Sequence, residues 1–554
     1  MFEKPLLQDN ILDNLILAAR VHFKINFWWL WMIVVFIILT CAVLLLRKAI
    51  KTAPLYSNAA DFNAHLFDKR KKADIFGLLA LVIVLALTAL RMFFAENSLF
   101  ENFDLMAINT TQAMWVGLPA NFSEIRIAPL MFWYLGYLYA ITQNIYLIKI
   151  FVLVQLTLVF ILLYYLFDFI PAAKRLVMLA LFALSPAMFS TANIIFAERD
   201  VIIALAASLI FAKRYCRTKK LSSFSGFLFF MTVAIYTKET SCLFFGGILA
   251  ASVLWNIWAE NITLKSFLHP FRTIKTFPVE FIAALNLFLY ATIYFLMIQP
   301  TKSYASYNTF EPAFLLFYYK LELFFLVTAL SLCAISCYRL RNTPIPPLFR
   351  SSGFLCGATF LTGGLILFIR IAPSSPHLYD KTYYLVLAML FSLAYIFQHL
   401  KNKKALCLLS LILAIYSFSE NLRQYRNEIG VYYRETAEFL AQNLDKKQVN
   451  ILFIAEQKLE RPTPTIWISE VYSSAYRYYF RDYQIVFKIV TPAAFEVSYG
   501  FNPMLFPIIT QQKVPAAGDW LILNKKESYP DIEKAVEKQT PLFENKIFKV
   551  YHVK

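Results

Sequence analysis

Apolar residues run in long blocks along most of the chain, and short polar breaks, many of them basic, separate one block from the next. Helices of ~17–25 apolar residues are long enough to span a hydrocarbon core. Twelve blocks fit that description, at 26–46, 75–95, 147–169, 174–192, 199–215, 222–238, 240–258, 278–298, 311–338, 351–371, 381–399 and 404–420. The pattern predicts a mainly α fold, a polytopic transmembrane helix bundle of about 12 crossings. The first block is too long and lies too far into the chain for a cleavable signal, so it reads as an anchor.

After residue 420 the pattern changes to that of an ordinary folded domain. Strand-like runs (Val449–Ile454, Trp520–Leu523) alternate with helix-like ones (Tyr433–Leu444, Asp531–Lys538), which predicts a small α/β unit. Three regions follow. Residues 1–74 form an N-terminal extension with one crossing and a basic loop, and 75–420 form a transmembrane core with a large outer loop at 96–146. Residues 421–554 form an extracytoplasmic α/β domain. The N-terminal 25 residues are expected outside, with 8–20 an alternative interfacial helix.

Composition strengthens the pattern. Of 554 residues, 59% are hydrophobic and 16% charged, and the mean hydropathy is +0.56, which argues against an ordinary soluble protein. The net charge of +18 would suit nucleic acid if it were gathered on one module. Instead the cations sit in alternate loops: Arg47 to Lys72, Lys174 and Arg175, Lys213 to Lys220, Lys265 to Lys275, Arg339 to Arg350, and Lys401 to Lys404. By the positive-inside rule those loops are cytoplasmic and the others face outward. The expected location is a multi-pass placement in a membrane, a bacterial inner (plasma) membrane whose active site faces the periplasm or exterior. Seven cysteines show no disulfide framework and no zinc spacing.

Charges near the outer ends of crossings are the candidate chemistry. Glu101 and Asp104 open the first outer loop, followed by Glu124 and Arg126. A carboxylate there suits a general base or a divalent-cation ligand, and equally a solvated loop. Glu198-Arg199-Asp200 begins one helix, where Asp200 also complements the helix dipole. Lys238-Glu239 divides an apolar run at a tight outer turn; the lysine suits a phosphate, and a plain hairpin also needs polar residues there. Arg370, His377 and Lys381 surround the last long outer loop and suit a phosphate or a sugar. No metal motif accompanies them, so no metal ligand is assigned, though a divalent cation remains compatible with the acids.

In order, these clusters resemble the GT-C superfamily of integral-membrane glycosyltransferases, which includes protein O-mannosyltransferases and lipid A aminoarabinose transferases. Asp104 through Gly117-Leu118-Pro119, then Ala128-Pro129-Leu130-Met131-Phe132-Trp133-Tyr134, is similar to the acidic loop start and surface helix of that family. Leu184-Ser185-Pro186, Glu198-Arg199-Asp200 and Thr237-Lys238-Glu239-Thr240 look like its later motifs, and Pro376 to Lys381 like its late outer loop. Two departures are present: Phe103-Asp104 replaces a tandem acid, and Ala128-Pro129 a tandem proline.

The resemblance implies transfer of a sugar, with inversion, from a polyprenyl-phosphate or dolichyl-phosphate donor to an extracytoplasmic glycan, lipid or protein. It makes Asp104 the catalytic base, with Glu101 the neighbouring acid. It gives Glu198 and Asp200 to acceptor binding or to shaping the site, and Lys238 with Arg126 or Arg370 to the departing phosphate. The partners implied are the lipid-linked sugar, membrane lipid and the acceptor, with no nucleic acid. A multi-pass transporter or lipid flippase is the competing class. Scarce glycine, 13 residues in all, and charges gathered at one face weigh against its broken mid-bilayer helices. A scaffold anchored by the bundle is the third reading.

Overall fold

The computed structural model describes residues 30–52, 145–167, 170–184, 197–238, 241–247, 274–275, 277–295, 402–427, 429–444, 449–454, 485–490, 508–510, 516–525 and 536–554, with positions 82, 86 and 249. The expected crossings at 311–338, 351–371 and 381–399, that at 75–95 apart from positions 82 and 86, and the loop at 96–146 up to residue 144, lie outside these residues.

A helical stretch over 30–45 runs on into α1 (Arg47–Thr52). It is followed by α2 (Ile145–Leu166), α3 (Ala172–Leu184), α4 (Ala197–Thr218), α5 (Leu221–Thr237), α6 (Pro278–Ile293), α7 (Lys403–Asn427) and α8 (Ile429–Asn443). Helices α4 and α5 form an antiparallel hairpin closed by Lys219-Lys220. Lys219 adopts φ 52°, the left-handed conformation that ends many helices, and its N–H donates to the Tyr215 carbonyl at 2.8 Å. Along the hairpin Tyr215 meets Phe224, and Phe211 stacks on Phe230 with centroids 5.6 Å apart. Gly226 is required at the crossing, because a Cβ there would lie 2.5 Å from the Phe211 ring.

Further contacts set the directions of the other helices. Lys213 Nζ donates to the Leu166 carbonyl and Arg199 reaches Gln155, so α2 runs parallel to α4. Asn286 meets Thr232 and Tyr290 meets Tyr236, so α6 runs parallel to α5. Trp31 meets Tyr236 and Phe36 meets Phe229, so the 30–45 stretch runs antiparallel to α5. Side chains such as Phe160, Phe182, Phe224 and Met231 are fully buried between these helices, each stabilising by about 1.5–3 kcal/mol relative to exposure.

The expected membrane architecture is corrected by the structure. Among the described residues, no helix is long and apolar enough to cross a membrane. This overturns both the polytopic transmembrane bundle of about a dozen crossings and the multi-pass inner-membrane placement. Among the described residues several apolar blocks do become helices, and some of these are more polar at their ends than the hydropathy pattern implies. Helix α4 opens on Glu198-Arg199-Asp200 and closes on Lys213, Arg214 and Arg217. Helix α7 closes on Glu420, Arg423 and Arg426. Within α2 lie Lys149 and Gln155, and Gln155 serves a buried polar network. Large apolar side chains also lie on the outside of the helices, Leu45 at 84% exposure and Phe288 at 67% among them.

The C-terminal strands form one six-stranded sheet of order β3-β2-β1-β4-β6-β5. Strands β1 (Val449–Ile454), β2 (Ile485–Val490), β3 (Ile508–Thr510) and β4 (Trp520–Asn524) are mutually parallel. Strands β6 (Phe548–His552) and β5 (Phe543–Glu544) continue the sheet antiparallel. The strand-like runs read at Val449–Ile454 and Trp520–Leu523 are β1 and most of β4. Every residue of β4 is buried, as suits a strand covered on both faces. On one face Leu521, Leu523, Tyr551 and Val553 pack with Val536. On the other Phe439 of α8 contacts Trp520 and stacks on Phe543 at 4.8 Å.

Candidate functional site

Three of the residues singled out in the sequence have described side chains: Arg199, Asp200 and Lys238. Glu198 is placed in the first turn of α4. Glu101, Asp104, Glu124, Arg126, Glu239, Arg370, His377 and Lys381 lie outside the described residues.

A helix that starts Ala197-Glu198-Arg199-Asp200 puts acids where the positive end of its dipole favours them, and a cation where it does not. Arg199 is nonetheless fully buried. Burying a guanidinium is costly unless acceptors surround it, and α2 supplies one. Arg199 Nε donates to Gln155 Oε1 at 2.9 Å. The amide of the same glutamine, Nε2, donates to Asp200 Oδ1 at 2.8 Å. These two bonds fix the amide orientation, because only the oxygen can accept from arginine and only the nitrogen can donate to a carboxylate. Gln155 is itself buried, so it ties a cation and an anion, adjacent in sequence, to a neighbouring helix.

The α4–α5 hairpin brings the next charge to the same end. The pairs Tyr215 with Phe224 and Phe211 with Phe230 set its antiparallel register. Carried to the far end, that register brings Lys238 level with the first turn of α4, which holds Arg199 and Asp200. Lys238 caps α5 in extended conformation, with its N–H donating to the Ala234 carbonyl. Its carbonyl accepts from Ser241 N at 3.0 Å, which turns the chain into the next helical stretch. Arg199, Asp200 and Lys238 thus share one end of the hairpin.

Tyr236, two residues before Lys238, joins this end to the N-terminal helix. Trp31 Nε1 donates to its hydroxyl at 3.1 Å, and Tyr290 packs edge-on against its ring at 5.0 Å. Burial pushes the phenol well above the ordinary tyrosine range, while the indole hydrogen bond pulls it back in part.

Sequence reading missed Gln155 and Trp31. Gln155, with Lys149 and Thr157, interrupts a largely apolar run, and an amide in such a run is the signal that could have found it. Among the described residues no group of three or more His, Cys, Asp or Glu gathers to hold a metal ion. Arginine, lysine and carboxylate at one end of a helical bundle can hold an anion and orient a hydroxyl. No protein-family model and no curated protein matches the chain.

Proposed function

We propose that the chain is a glycosyltransferase that takes a sugar from a polyprenyl-phosphate donor and passes it to a hydroxyl of a glycan, lipid or protein of the cell envelope, with inversion. The observation that supports this reading is the Arg199–Gln155–Asp200 network, with Lys238 level with it at the same end of the hairpin.

The chemistry asks for those groups. The acceptor oxygen attacks the anomeric carbon and the bond from that carbon to the phosphate oxygen breaks. The electron pair leaves with the polyprenyl phosphate, and the acceptor proton passes to a carboxylate. By the resemblance in sequence that carboxylate is Asp104. Lys238, with Arg126 or Arg370, meets the departing phosphate, where a fixed cation stabilises developing charge. Asp200, held by Gln155, orients the acceptor hydroxyl.

Incubation of the purified chain with radiolabelled polyprenyl-phosphate sugars and an envelope extract tests the proposal. Transfer of label is expected, together with its loss in Asp104→Asn at unchanged folding. No transfer from any donor sugar, or full transfer by Asp104→Asn, overturns the reading or its base respectively.

A further inference from the structure

The end of the helical bundle opposite the Arg199–Asp200 cluster carries a different chemistry. Tyr215 Oη donates to the Ile50 carbonyl, which sets α1 beside the end of α4. The offset between Asn286 and Thr232, carried along the parallel α5 and α6, sets the N-terminus of α6 at the same end as the start of α5. As a result Arg47, Lys48, Lys51, Arg214 and Lys220, all exposed, lie at one end of the bundle, contributed by three parts of the chain. Glu280, at the start of α6 near this end, is buried at 4% exposure, so the exposed charges that the described residues named above place here are of one sign.

We infer that this cationic end is a docking surface for an anionic lipid surface. The charge alone would also attract nucleic acid, but the side chains beside it select between the two. Leu44 and Leu45, immediately before Arg47 and Lys48, are exposed at 59% and 84%, and Tyr165 is exposed at 44%. Aliphatic side chains next to cations suit the boundary between headgroups and acyl chains, where tyrosine is also favoured. Single-stranded nucleic acid calls instead for successive aromatic platforms among the cations; of the aromatic side chains named at this end Tyr215 and Phe277 are buried at 2% and 5%, and Tyr165 is the exposed one. The contact is made by charge with headgroups and asks no helix to cross the bilayer. It does not depend on the transfer reaction, so either can fail without the other.

The test is co-flotation of the full-length protein with phosphatidylcholine vesicles, pure or containing roughly one third phosphatidylglycerol, at low and high salt. Stronger binding to the anionic vesicles is expected, weakening as salt screens the charges. The variant Arg47→Gln/Lys48→Gln/Lys51→Gln/Lys220→Gln should lower the anionic preference by at least about a hundredfold, at about fivefold per charge, with helical content unchanged by circular dichroism. Binding to both vesicles alike, or an anionic preference that survives the four substitutions, overturns the inference. So does single-stranded DNA displacing the protein from anionic vesicles at stoichiometric amounts. If the fourfold variant does not fold, Lys48→Gln/Lys51→Gln, two exposed positions, gives the same reading with about a 25-fold loss.

Discussion

Trp31 and Tyr236 stand 205 residues apart and share a 3.1 Å hydrogen bond from the indole Nε1 to the phenol oxygen. The bond fastens the N-terminal helix to α5 at the end of the bundle where Arg199, Asp200 and Lys238 lie.

Its pH behaviour follows from burial, which raises the Tyr236 phenol well above its ordinary value of about 10. In the unfolded chain the same phenol ionises at that ordinary value. The stabilising contribution is therefore whole below about pH 10 and is lost as pH rises from there through the higher folded value. Spectrophotometric titration should show Tyr236 among the tyrosines that resist ionisation until the protein unfolds. Tyr236→Phe should remove that late-ionising tyrosine and cost about 1 kcal/mol at neutral pH in denaturant unfolding.

Gly226→Ala places a methyl group 2.5–2.9 Å from three atoms of the Phe211 ring. That ring is stacked on Phe230 and moves only by disturbing the hairpin. The cost expected is about 1–3 kcal/mol, measurable as a lowered unfolding midpoint. Phe211→Leu in the same chain should recover part of it, since the smaller side chain relieves the clash.

Gln155→Leu removes one donor and one acceptor between buried or half-buried charges. A loss of about 2–3 kcal/mol is expected, against a smaller loss for Gln155→Glu at low pH, where a protonated carboxyl can still donate to Asp200. If transfer activity is found, Gln155→Leu should also lower it without any contact to substrate. Thermal unfolding at pH 5 and pH 8 separates the two variants.

Asn545 holds the C-terminal unit together. Its Nδ2 donates to the Tyr432 carbonyl and to Thr436 Oγ1, while its Oδ1 accepts from the N–H groups of Ile547 and Phe548. Asn545→Ala should uncouple α8 from the β5–β6 turn at a cost of about 2–3 kcal/mol. Hydrogen exchange should then rise in α8 and β6 together. Asn545→Asp keeps the acceptor but loses the two donations to α8, so its effect should fall between the two.

Local patterning determined a good part of this fold. The apolar blocks at 147–169, 199–215, 222–238 and 278–298 are the positions of α2, α4, α5 and α6, because a helix is ended by the charges and turn residues beside it, such as Lys219-Lys220 and Lys238. The β-branched and aromatic runs at β1 and β4 were legible for the same reason. The grouping of Arg199, Asp200 and Lys238 was legible as an alternation of chain direction, since an antiparallel hairpin returns its two ends to one level. Reading block length as membrane crossing was not sound. Length and mean hydropathy do not report where a helix stops or which polar residues it must carry, and the described helices are not long and apolar enough to cross. Only the tertiary structure decided that Gln155 joins Arg199 to Asp200, that Trp31 meets Tyr236, that Gly226 leaves room for Phe211 and that Asn545 clamps α8. Each of these joins residues 15 to 205 positions apart. A periodic pattern states which face of an element is apolar, whereas a hydrogen bond or a close contact depends on which other element arrives opposite that face.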